Sequence, residues 1–462
     1  MMHFIKLLVI LSIIYLPFST IASDYYISAA VGNDNNKGIS QEEAWASFNN
    51  LEKITFSPGD RILLHAGDSL KGNIYLIELQ GSLNKPIIIS SYGSGAKPYI
   101  DGNGNQAAIY IKNPAHIIIE NLEIVNPEGE YGIYLEAEES GELQNVVLKN
   151  LNVHDVYATS AEISSPPKTK GGIVLKAQKG EKPSWWNGVL IENCNIHDLG
   201  SCGISIGSDY KVNKGIEEGE KTYPILGVEI RHNTIKNIVR DGAIIRQCKG
   251  GVMEYNTVSR TGLVAISNGM WWYDSDSCII QYNEGFACKA AFYRDGAPFS
   301  IDNSSTRCII QFNYSHDNEG AGYMLFGHDD TGWGNIIRHN LSVNDHNSNI
   351  AEGIGAIAIV SRVRDAHVHH NIVIAGSETD YVLGHRSWDG FPLEVIYNNN
   401  LFIGNGKAKF GEHVLPAGKF EHNLFLNVPN LPKELKQDNN LSDYFSKIAQ
   451  MQMIKTKASK MD

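Results

Sequence analysis

The chain has 462 residues, with 51 acidic and 39 basic side chains for a formal charge of −12, 44 glycines and 6 cysteines. The negative balance argues against nucleic acid and anionic membrane as partners, since both select basic surfaces. All six cysteines fall between 194 and 308 in no Cys/His spacing that zinc would use, and they are too few to staple so long a chain.

In chain order, residues 1–22 read as a secretory signal. Lys6 supplies the positive region, Leu7 to Phe18 the apolar run, and Thr20-Ile21-Ala22 the small residues before a cut at Ser23. The run is too short to insert as a membrane span, no comparable run follows, and no Cys stands at the cut to take a lipid. A soluble monomer, secreted or periplasmic, is the expectation. Residues 23–90 read as an N-terminal cap and first coils. Within them "ISQEEAWASFNNLEKI" (39–54) pairs Ser40 with Glu43 as a capping box and spaces Ala44, Trp45, Phe48 and Leu51 as an apolar stripe, which predicts an amphipathic helix closing one end.

From 91 to 430 the chain repeats itself. "CIIQYN" (278–283) returns as "CIIQFN" (308–313), and "VEIRHNTI", "GVMEYNTV", "NIIRHNLS", "AHVHHNIV" and "KFEHNLFL" place an apolar residue three positions before an Asn. The same slot reads Leu122, Leu151, Cys194 and, in "VIYNNNLF", Asn399; successive slots lie 23 to 43 residues apart over ten intervals. That is a solenoid period. Each period holds short alternating Ile/Val-rich runs punctuated by Asn, Gly and Asp, with no helical pattern between them. Three parallel strands per coil make an all-β parallel β-helix of about ten or more coils. The recurring Asn suits a tight bend, because it tolerates the left-handed region and can hydrogen-bond along the stack. Residues 431–462 close the chain, with "SDYFSKIAQMQMIKTKA" (442–458) patterned as a second amphipathic helix.

These motifs resemble the pectate-lyase-like superfamily of right-handed parallel β-helices, in which an Asn ladder marks the turn between the second and third strands of each coil. The segment "YYISAAVGNDNNKGIS…PGDRILLHAGDSLKG" likewise looks like the first-coil region of exported bacterial β-helix proteins acting on polysaccharides. The resemblance implies a carbohydrate groove along the first parallel sheet. Its strands are predicted at 203–208, 242–247, 263–268, 297–302, 322–327 and 355–360.

Alternation in "APFSID" (297–302) turns Phe299 and Ile301 inward and Ser300 and Asp302 out into that groove. Six of the seven Trp, namely Trp185, Trp186, Trp271, Trp272, Trp333 and Trp388, are predicted in loops along one edge, where flat faces suit pyranose rings. Trp271, Trp272, Trp333 and Trp388, with Asn268 and Arg386, are the candidate substrate contacts. Glycosidic hydrolysis needs two carboxyl groups, one protonated, about 5 to 10 Å apart. Asp302 is the leading candidate, with Asp274 and Asp276 one coil earlier or Asp329 and Asp330 one coil later. Asp241-Gly242 and Asp295-Gly296 read as structural turns.

A polysaccharide lyase is the rival chemistry. It needs a base and a cation, Ca²⁺ or a guanidinium, beside a uronate. Arg246, Lys289, Arg294, His328, His385 and Arg386 are its candidates. Hydrolysis requires no cofactor, and Ca²⁺ enters only with the lyase. No polygalacturonase-type "NTDG…DD…GHG" signature is present. A third reading is a non-catalytic glycan-binding β-helix, with a Trp row and no acid pair.

Overall fold

The structure is a computed structural model and describes residues 22–157, 166–328, 331–347 and 354–435. Three parallel sheets of 12, 15 and 13 strands stack coil upon coil. In chain order each coil contributes one strand to the 12-stranded sheet 1, one to the 15-stranded sheet 2 and one to the 13-stranded sheet 3, as in Phe299–Ile301, Ile309–Gln311 and Tyr314–His316. Among the described residues the strand pairings inside these sheets are parallel and join neighbouring coils, as Ile280 with Ile310 or Val258 with Gly285. The chain is therefore a right-handed parallel β-helix.

Alternation within each short strand sends one set of side chains to the axis. In sheet 1 Met270, Phe299, Tyr323 and Ile357 lie in register and fully buried, and Trp272, Ile301, Leu325 and Ile359 form a second such row. The Asn ladder joins eight residues, Asn233, Asn256, Asn283, Asn313, Asn340, Asn371, Asn400 and Asn423. Each side-chain amide of the first seven donates to the next Oδ1 at 2.8–3.1 Å. The slot in "VIYNNNLF" is Asn400 rather than Asn399.

The ladder Asn is not the residue in the left-handed region. That conformation belongs to the residue before it: His232, Tyr255, Tyr282, Phe312, His339, His370, Asn399 and His422 all have φ between 52° and 56°. Most of these are aromatic, and their rings stack outside the turn, Tyr255 on Tyr282 on Phe312 at 5.2 Å per step. Stacking at the spacing of the strands offsets the backbone cost of positive φ. The ladder Asn is selected for its amide, which donates to buried carbonyls such as Ile280 O from Asn313 at 2.9 Å.

Residues 39–54 do not form an α-helix. Only a 3-10 turn, Leu51–Lys53, is helical there, and Trp45 instead bridges Ile27 as a β-partner. Asp34 explains this: its Oδ1 accepts from the backbone N–H of both Ala46 and Ser47 at 2.9 Å, which holds the segment in loops. The apolar stripe still caps the rod, with Trp45, Phe48 and Leu51 buried. The segments at 1–21 and 442–458 lie outside the described residues, as do Asp329 and Asp330.

Candidate active site

The predicted sheet-1 strand at 263–268 is displaced. Leu263 and Val264 are exposed in a loop, and the strand of that coil is Met270–Tyr273. The Trp pair read as loop therefore lies on a strand, and alternation splits it. Trp272 points to the axis and is 0% exposed, so it belongs to the core and contacts no ligand. Trp186 is in the same position in sheet 2, on the strand Ser184–Glu192, while Trp185 packs on Tyr223 at 5.3 Å. Trp333 sits at the corner between sheets 1 and 2, bridged to Thr306 and Arg364, under the Arg307 guanidinium at 5.2 Å. The predicted row of six is thus not a row.

The outward columns of sheet 1 carry the site. Register places Trp271, Ser300 and Met324 side by side in one column. Two residues on, Asp302 follows Ile301, the partner of Trp272 and Leu325, and so falls in line between Tyr273 and Phe326. Arg246 pairs with Tyr273 in the same line and Arg386 with Val360 further along.

Around Asp302 gather residues from four coils. Asp302 is half-buried, and desolvation pushes its carboxyl up to about 7; Lys168 opposes the shift, and the charge of Asp295 adds to it. Asp295, half-buried at the left-handed turn that enters the same strand, is pushed up by desolvation to about 6. Lys168, Arg294 and Arg240 oppose that shift and Asp241 adds to it. Both acids thus share one counter-charge, Lys168, whose Nζ stands 4.2 Å over the Trp271 ring. The backbone of Lys168 is strapped to sheet 1, Ser205 Oγ donating to its carbonyl at 2.7 Å and Arg240 Nη1 to that of Pro166 at 2.6 Å.

Asp241 positions the others. Fully buried, it accepts from Trp271 Nε1 at 3.0 Å, from the Asn268 N–H at 3.1 Å and from Arg240 Nε at 3.2 Å. Asn268 is buried too, its Oδ1 accepting from the Ala297 N–H at 3.2 Å; it spaces strands and does not face solvent. Trp271 itself is only 2% exposed, a floor under Lys168 rather than an open platform.

Several candidates are engaged elsewhere. Asp274 is buried and accepts from the N–H groups of Val212, Asn213 and Lys214 at 2.7–3.2 Å, clamping a loop. Asp276 holds Arg307 at 2.5 Å and accepts from Thr306 Oγ1 at 3.0 Å in the corner next to sheet 2. His385 points inward, against the Tyr397 hydroxyl at 2.5 Å, and burial pulls it down to about 3. Lys289 pairs with Glu319 at 2.7 Å. Arg246 lies over Gly207, where a Cβ would stand 2.8 Å from Nη2, and burial pulls its pKa down.

A raised carboxyl alone does not mark the site. Asp345 is also pushed up to about 6, but it is 1% exposed and accepts from Asn318 and Ser342, a sealed structural acid. Asp295 and Asp302 differ in keeping solvent access. Beyond them Trp388, 38% exposed, packs on Phe326 at 4.9 Å, with the guanidinium carbons of Arg294 and Arg386 each 5.9 Å from its ring. His328 Nδ1 meets Asp389 at 2.8 Å beside them, and its N–H donates to Asn303 Oδ1 at 2.9 Å. Trp388, Arg386 and His328 therefore stand one to three coils from the acid pair on the same face.

The sequence pattern singles out neither Lys168 nor Arg240, and it reads Asp241 and Asp295 as structural turns. Asp295 does occupy a turn; the signal that it does more is its place, directly before the strand that ends in Asp302.

The fold and this face define a class, the right-handed parallel β-helices with a charged and aromatic outer sheet. No family model matches the chain. It is similar to the lacto-N-biosidase of Bifidobacterium longum subsp. longum, 23% identical over 512 residues that cover 88% of this chain and 31% of that protein, so the chain spans less than a third of that relative. Among solved structures, a GH136 lacto-N-biosidase from Eubacterium ramulus matches with a TM-score of 0.65 at 21% identity, over 88% of this chain and 68% of that one. A mannuronic-acid-specific polysaccharide family 6 lyase from human gut microbiota matches with a TM-score of 0.53 at 11% identity, over 95% and 99% of the two chains.

Proposed function

We propose that this protein is an exported, monomeric glycoside hydrolase that cleaves an oligosaccharide on the outer face of sheet 1, with Asp302 as general acid and Asp295 as its carboxylate partner. One observation carries the reading: two half-buried carboxyls in one coil, pushed up by desolvation to about 7 and about 6, with the charge of Lys168 opposing both shifts. Near neutral pH such a pair holds about one proton between its two members, which is the division of labour that glycosidic cleavage needs. Asp302 delivers its proton to the leaving oxygen. The ionised Asp295 acts on the anomeric carbon, directly or through a water, and the anomer of the first product formed, read by NMR, distinguishes the two. Trp388 and Phe326 offer a sugar-stacking surface, and Arg294 and Arg386 offer donors to its hydroxyls. No cofactor is called on.

Similarity to lacto-N-biosidases supports hydrolysis over elimination and suggests a disaccharide as the released unit. The test is turnover of the p-nitrophenyl glycoside of lacto-N-biose within a panel of aryl disaccharides and uronate polymers. Expected are new reducing ends without an unsaturated uronate, and a bell-shaped profile with limbs near 6 and 7. Asp302→Asn and Asp295→Asn should each lower kcat by about 100-fold or more. Asp302→Asn should also raise Tm. A carboxyl with a folded pKa near 7 against an ordinary 3.8 destabilises the fold progressively as pH rises between those values. The gain should be full at pH above 7 and absent at pH below about 3.8. Unsaturated products, or full turnover in both variants, would overturn the assignment.

A further inference from the structure

The corner between sheets 2 and 3 lies across the rod from sheet 1 and takes no part in the site above. There the stack of left-handed aromatics ends in two histidines, His339 and His370, with ring centroids 5.0 Å apart. A stack needs nothing more. Yet His369, outward on the strand His367–His369, stands nearly perpendicular to both rings, at 80° and 83°. It brings its Nδ1 to 2.9 Å from Nδ1 of His370. One ligand nitrogen from each of the three residues lies within 4.8 Å of the others.

A second observation points the same way. Asn398 is the ladder partner of His369 on the next coil, and its Oδ1 is buried with no hydrogen-bond partner. A buried oxygen left without a partner, on the residue that pairs with His369, is costly unless something donates to it or binds it.

We propose that His339, His369 and His370 bind one borderline transition-metal ion of the Zn²⁺ class, with Asn398 Oδ1 as the fourth ligand, clipping three successive coils together. Tetrahedral zinc at about 2.1 Å from each nitrogen sets them roughly 3.4 Å apart. Ring rotation of the His side chains supplies the remaining closure. Among the described residues this is where three metal-ligating side chains converge, and imidazole nitrogen suits zinc, nickel or copper rather than calcium.

The experiment is equilibrium dialysis of EDTA-stripped full-length protein against Zn²⁺ at micromolar free concentration, with Co²⁺ as a spectroscopic probe. The wild type should bind one Zn²⁺ per chain, show tetrahedral Co²⁺ bands and gain Tm with metal. The double variant His369→Gln/His370→Asn, with Asn chosen because position 370 is left-handed at φ 55°, should lose affinity by more than the ~10–100-fold typical of outer-shell changes. Metal-free activity should match in both proteins. Failure of the wild type to bind Zn²⁺, or equal binding in the double variant, overturns the site; because the first result needs no variant, a misfolded mutant cannot protect the proposal.

Discussion

Lys168 is the charge that both raised carboxyls share, and it is held there by its backbone, through Ser205 and the Arg240 contact to Pro166. Because Lys168 lowers the pKa of each acid, its removal must raise both. Lys168→Met is therefore expected to move both limbs of the pH profile of kcat/KM to higher pH while the fold, judged by circular dichroism, is kept. A profile unmoved on either side would remove Lys168 from the electrostatics of the pair. Asp302 was legible in sequence because alternation around two apolar neighbours turns it outward. Asp295 was not, since Asp-Gly is ordinary turn material, and its second role depends on which charges from other coils face it.

At the scale of elements, the turn between sheets 2 and 3 divides its work between two adjacent residues. The aromatic or His residue takes the left-handed backbone, and the Asn after it supplies hydrogen bonds to the coils on both sides. Asn313 donates to Ile280 O, Gln311 O and Asn340 Oδ1, and accepts from Asn283. Replacing it by Ala strands buried groups such as the Asn283 N–H and the Ile280 carbonyl, at about 1–3 kcal/mol each. Asn313→Ala should lower stability in urea unfolding by a few kcal/mol, whereas Phe312→Asn, which keeps a residue tolerant of positive φ, should cost clearly less. Equal losses would contradict the division. The Met270–Tyr273 strand shows why an element boundary escaped the pattern. "LVAIS" is as alternating as "MWWY", and only the pairing of Trp271 with Ile244 and Ser300 selects the second.

The whole molecule is a one-dimensional stack in which each coil touches mainly its neighbours, so its stability approximates a sum of coil and interface terms. Interior coils have a partner on both sides, whereas the last sheet-3 strand, Leu424–Leu426, has one. Hydrogen exchange should therefore show the strongest amide protection in the central coils, near 280–340, and weaker protection toward 424–426. Uniform protection along the rod would indicate a single cooperative unit instead.

What the sequence by itself determined was the solenoid. Its period, its strand alternation and its Asn ladder are local and repeated ten times over, so each coil restates the same geometry. Capping at 39–54 was legible as apolar content and not as a helix, because the Asp34 bonds that hold it in loops come from outside the segment. The tertiary structure alone decided which of two adjacent Trp faces the core, which of many loop acids face one another, and that Lys168 lies over Trp271. Those depend on register between coils tens of residues apart, where a shift of one position exchanges the inside of the rod for its outside.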